Sequence, residues 1–133
     1  MLFKNINNNV FKLVTENFDY QDQTFSDPDG TYSVKNMVDY VNTTKNVVDF
    51  PIEKLLHNLE PSEHETGDEL PGHPDFIKRA DAASLQYPII AVKYSDGYWI
   101  ADGVHRLYKA NSLGHKTIKA HVLDQSELIN FKL

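Results

Sequence analysis

Apolar positions along the chain follow two periods. Val34, Met37, Val38 and Val41 recur at i, i+3, i+4 and i+7, the spacing of one buried helix face, and Ser33 ahead of them is a helix cap. Phe76, Ile77, Ala80 and Ala83 give a second helix an apolar face, with Pro74 and Asp75 suited to its first turn. Pro88 to Tyr94 is a run of apolar, β-favouring residues and predicts a strand. Ser95-Asp96-Gly97 then predicts a tight turn, and Tyr98 to Ala101 the returning strand. Asp102-Gly103 breaks that strand, a helix follows from about Val104 to Leu113, and Gly114 ends it. Thr117 to Leu123 predicts a further strand, and Asp124 with Glu127 has the spacing of a capping box for a last short helix.

Earlier in the chain, residues 10–14 read as a strand, Asp27-Pro28-Asp29-Gly30 as a turn, Val47 to Ile52 as a short strand and Glu53 to Leu56 as a helical turn. Residues 57–73 read as polar and irregular. The expected class is a small α+β domain, a mixed sheet packed with helices. Residues 1–46 are expected to form an N-terminal elaboration and 47–133 the main domain.

Composition narrows the chemistry. The chain has no cysteine, so disulfides, thiolate nucleophiles and cysteine-ligated zinc are excluded. No apolar run is long enough for a membrane span or a secretory signal, so a cytoplasmic location is expected. The net charge of −6 suits a small-molecule partner better than bulk nucleic acid, whose binding needs Lys and Arg to neutralise phosphates. Residues 105–119 nevertheless hold Arg106, Lys109, Lys116 and Lys119 with no acid among them.

The candidate chemistry lies at Asp102-Gly103-Val104-His105-Arg106. A helix start leaves backbone N–H groups unpaired and carries partial positive charge, so it attracts an anion. Gly103 would let a phosphate approach the backbone, Arg106 offers a planar fork for two oxygens, and His105 can donate or carry a proton near neutral pH. In the simpler alternative Asp102 only caps the helix, Gly103 only turns the chain, and His105 and Arg106 are surface side chains.

Residues 88–123 resemble the ParB/sulfiredoxin superfamily: Pro88-Ile-Ile-Ala-Val, a turn, Gly97-Tyr-Trp-Ile-Ala-Asp-Gly-Val-His-Arg-Leu107, then Leu113-Gly114 and a closing strand. Val47 to Pro61 resembles that family's opening strand and proline-containing turn. The resemblance implies a phosphate-binding cradle with divergent uses. Sulfiredoxins place a cysteine where this chain has Val104, which excludes their redox chemistry here. ParB proteins bind CTP beside a DNA-binding domain, for which the ten residues after Leu123 leave no room. The junction is most similar to that of archaeal free serine kinases, which transfer phosphate from ADP, with Val104 replacing one histidine.

The loop 57–73 contains three histidines (57, 64 and 73) and five acids (60, 63, 65, 68 and 69). Phosphoryl transfer uses a metal to shield phosphate and often a carboxylate to orient the nucleophile. Glu60, Glu63 and His64, with His105, are the catalytic candidates, and Mg2+ with ATP, ADP or CTP the expected cofactors. A solvated loop is the alternative. Three functions stay open: phosphotransfer or phosphate-ester hydrolysis on a small molecule or nucleotide; a ParB-like nucleic-acid-binding protein or nuclease; and a non-catalytic inhibitor or adaptor, as on a phage or other mobile element.

Overall fold

A computed structural model describes residues 23–61 and 70–133. The expected strand at 10–14 and the candidates Glu63 and His64 lie outside the described residues. Two short strands, β1 (Thr24–Asp27) and β2 (Gly30–Ser33), form a hairpin, followed by α1 (Val34–Thr44) and β3 (Val48–Pro51). Two 3-10 turns span Ile52–Lys54 and Leu56–Leu59. Next come α2 (Pro74–Ala82), β4 (Ile89–Tyr94), β5 (Gly97–Asp102), α3 (Val104–Ser112), β6 (Thr117–Asp124) and a 3-10 helix at Gln125–Phe131.

The main sheet has the order β3-β6-β4-β5. β3 runs antiparallel to β6, β6 parallel to β4, and β4 antiparallel to β5. The parallel pair exists because β5 returns the chain to the end of the sheet where β4 begins, and α3 then crosses β4 to the start of β6. β4 is central and covered on both faces, and Ile89, Ile90, Ala91 and Val92 are each at most 1% exposed. That is why this strand is continuously apolar and does not alternate.

One face packs on α3, where Leu107 and Ala110 meet Ile89, Ala91, Ile118 and Ala120. The other carries α1, the β1–β2 hairpin and the C-terminal 3-10 helix, joined around Met37, Val41, Ile90, Val92, Leu123 and Phe131. Residues 23–46 therefore share a core with the sheet, and position 46/47 is no boundary of packing. Hydrophobic burial brings them there: Met37 is fully buried and Tyr32 is 4% exposed.

Each cap read from the sequence at Ser33 and Asp124 is formed. Ser33 Oγ accepts from the Asn36 N–H at 3.1 Å. The Asp124–Glu127 capping box is complete, and Glu127 also accepts from Tyr40 at 2.8 Å and ion-pairs with Lys45 at 2.9 Å, tying α1 to the C-terminus. At α2 the cap is His73, whose Nδ1 accepts from the Asp75 N–H at 3.1 Å. Asp27-Pro-Asp-Gly30 is a turn as expected, but its flanks are the strands β1 and β2, which the polar composition concealed.

β5 is an edge strand, and the Asn58 side chain pairs part of that edge. Its amide donates to the Tyr98 carbonyl at 3.1 Å, and its oxygen accepts from the Ile100 N–H at 2.9 Å. Two groups open to intermolecular pairing are thereby satisfied.

Candidate functional site

β5 does not run straight into α3. Ala91 faces Ile100 but Ile90 faces Asp102, so Ala101 is an extra residue, a β-bulge just before the junction. Gly103 then takes φ +110°, a left-handed conformation that side chains disfavour, and serves as the N-cap of α3. The Leu107 N–H bonds to the Gly103 carbonyl at 3.0 Å and starts the helix.

The glycine has a second cause, different from the expected one. A Cβ at Gly103 would lie 2.5 Å from Ile89 Cγ2 and 3.1 Å from Arg106 Nη2. It would point into packed side chains, so the absent Cβ lets α3 sit close on β4. This packing role alone requires a glycine at position 103.

Asp102 does not cap the helix. Its carboxylate receives Arg106 Nη2 at 3.1 Å across one helical turn, with side chains 2% and 1% exposed. Burying two charges is tolerated because they neutralise and hydrogen-bond each other. The guanidinium expected to fork onto phosphate is thus inside the protein, bonded to a carboxylate. His105 is also buried, with its ring centroid 4.4 Å from that of Phe76 on α2. Burial, helped by the positive charges of Arg79 and Arg106, pushes its pKa down to about 4. It is neutral at neutral pH and too weak a base to carry a proton there, which corrects the expected role. Neither His105 nor Arg106 is the surface side chain of the simpler alternative. Val104, at the first helical position, is half-buried.

What the junction can offer an anion is backbone. Val104 and His105 open the first turn, where N–H groups have no partner in the helix. α1, α2 and the C-terminal 3-10 helix draw an acceptor from their own Ser33, His73 or Asp124. α3 has no side-chain cap and no acid in its first turn. Among the described residues, it is the α-helix start without its own acceptor.

The other candidates are not gathered here by any contact. Glu60 is exposed at the end of the Leu56–Leu59 turn, and its carboxylate has no hydrogen bond or ion pair among the described residues. No group of three or more His, Asp or Glu side chains suited to a metal ion occurs among the described residues. In the basic run, Lys109 donates to the carbonyls of Asp81 and Ala83 at 3.0 and 2.6 Å, fastening α2 to α3. With Arg106 buried as well, two of the four cations serve the fold, and Lys116 and Lys119 remain exposed. Of the aromatic pair on β5, Tyr98 packs on Phe50 at 4.7 Å, and Trp99 is 39% exposed.

The chain is similar to sulfiredoxin from Arabidopsis thaliana, with a TM-score of 0.38 and 18% identity over 64% of this chain and 94% of that one. No family model matches the chain, and no curated protein matches it. No helix among the described residues is long and apolar enough to cross a membrane.

Proposed function

We propose that the Gly103–α3 junction binds a phosphate group, of a nucleotide or a phosphorylated small molecule, through the backbone N–H groups of α3. One observation carries the reading: α3 starts on a left-handed glycine with no side-chain acceptor for its first-turn donors. Those donors, with the helix dipole behind them, favour an anionic acceptor. Arg106 and Asp102 act behind the site by fixing where the helix begins. His105 and Phe76 hold its first turn against α2.

Phosphotransfer or hydrolysis belongs to the same proposal and needs a base from outside the junction, since neutral His105 is a weak one. Glu60 is the described candidate, and Glu63 and His64 complete the set. The burial of both His105 and Arg106 favours, as a second reading, a binding module without turnover.

The test is a thermal-shift screen with inorganic phosphate, ATP, ADP and CTP, with and without Mg2+. Arg106→Ala is a poor control because it removes a buried ion pair. Val104→Asp is better: a carboxylate in the first turn suits the helix dipole but repels phosphate. Saturating ligand should raise the wild-type melting temperature by several degrees, on the order of 2–3 kcal/mol at a hundredfold excess over Kd. Val104→Asp should melt at or above the wild-type temperature and show no ligand response. Equal responses in both proteins, or none to any ligand, overturn the proposal. Turnover that Glu60→Gln abolishes while binding persists would separate the catalytic reading from the binding one.

A further inference from the structure

A concave site lies at the other end of β5 from Gly103, between the β1–β2 turn and the β4–β5 turn. It is a cleft of about 420 Å³, within the size range of ligand sites. Phe25, Tyr94 and Trp99 supply aromatic surface, and Asp27, Asp29 and Asp96 supply carboxylates. Among the described residues, no lysine or arginine lines it.

The walls are held in place from within the fold. Asp27 accepts from the Tyr32 hydroxyl at 2.9 Å, the Tyr94 hydroxyl at 2.7 Å and the N–H groups of Asp29 and Gly30 at 2.8 and 3.1 Å. This carboxylate locks the hairpin tip to β4. The Trp99 indole N–H donates to Asp96 Oδ1 at 3.2 Å, and His57 packs on the indole with centroids 4.5 Å apart. Trp99 is thus held by Asp96 and His57 while 39% exposed.

An oriented indole beside carboxylates attracts cations through the negative face of the ring and through direct charge. Three carboxylates repel phosphate, so this cleft and the junction select opposite charges. The cleft is open at two hairpin tips, which suits a side chain projecting from a larger chain. We propose that it binds an arginine side chain of a peptide or protein partner, with the guanidinium against Trp99 and between Asp29 and Asp96. The planar guanidinium stacks on an aromatic face and is more weakly hydrated than an ammonium, which favours arginine over lysine.

Trp99 is the chain's one tryptophan, so its emission reports this cleft directly. The probes are a Gly/Ser pentapeptide with a central arginine, the same peptide with neutral, isosteric citrulline, and free arginine amide. The arginine peptide should change Trp99 emission saturably, at least tenfold more tightly than the citrulline peptide. Asp29→Asn with Asp96→Asn should weaken the arginine peptide by about fivefold, with the fold intact by circular dichroism. The amide oxygen that Asp96→Asn introduces can still accept the indole N–H. Equal affinity for arginine and citrulline peptides, or no emission change at millimolar peptide, overturns the proposal. Free arginine amide binding as tightly as the peptide also overturns it, because the cleft would then be a site for small cations.

Discussion

Acid should destabilise this protein through one buried histidine, and the size of the effect follows from its surroundings. His105 has a pKa of about 4 when folded, against an ordinary value of 6.5. The unfolded chain therefore takes up the proton first, and acid pulls the equilibrium towards unfolding. The stabilisation is fully present above the unfolded value of 6.5 and is lost as pH falls through 4. The full difference is worth about 3 kcal/mol, of which about 2 kcal/mol disappears between about pH 7 and pH 4.5. His105→Phe removes the titration and keeps a ring against Phe76, which itself packs on Tyr108. Urea denaturation of the two proteins at both pH values isolates the term. Asp27, Glu127 and His121 have lowered pKa values and lose stability in the same direction, but in both proteins alike. The wild type should lose about 2 kcal/mol more than the variant. Parallel losses, or a histidine C–H resonance for His105 titrating near neutrality, would refute the reasoning.

Three further outcomes are expected. Gly103→Ala should cost about 2–4 kcal/mol in a thermal melt, from the left-handed backbone and the overlap with Ile89. Asp102→Asn or Arg106→Met alone should cost about 3–5 kcal/mol in urea, whereas Asp102→Leu with Arg106→Met should recover most of it by removing both charges. Asn58→Ala should cost about 1–3 kcal/mol and speed hydrogen exchange at the Ile100 amide, whose acceptor is the Asn58 side chain. Unchanged exchange there would show that the edge of β5 is protected by other means.

The sequence by itself determined the local elements, because their causes lie within a few residues. The i, i+3, i+4 stripe from Val34 and the Ser33 cap define α1. The unbroken apolar run Ile89 to Val92 and the turn at Ser95-Asp96-Gly97 define the β4–β5 hairpin. Asp124 and Glu127 form the capping box their spacing announced. The position of the junction was legible for the same reason: Gly103 falls where an apolar strand pattern stops and a helical one begins.

Only the tertiary structure decided which way the junction's side chains face. Residue types alone made His105 a proton carrier and Arg106 a phosphate fork. Packing α3 against β4 and α2 placed both inside, where burial neutralises the histidine and Asp102 holds the arginine. The Ala101 bulge, the role of Asn58 at the β5 edge and the contribution of residues 23–46 to the second face depend on partners distant in the chain, which no local pattern records. The same holds for the acidic cleft. Asp27 and Tyr94 are 67 positions apart in the chain, and the fold puts their oxygens 2.7 Å from each other.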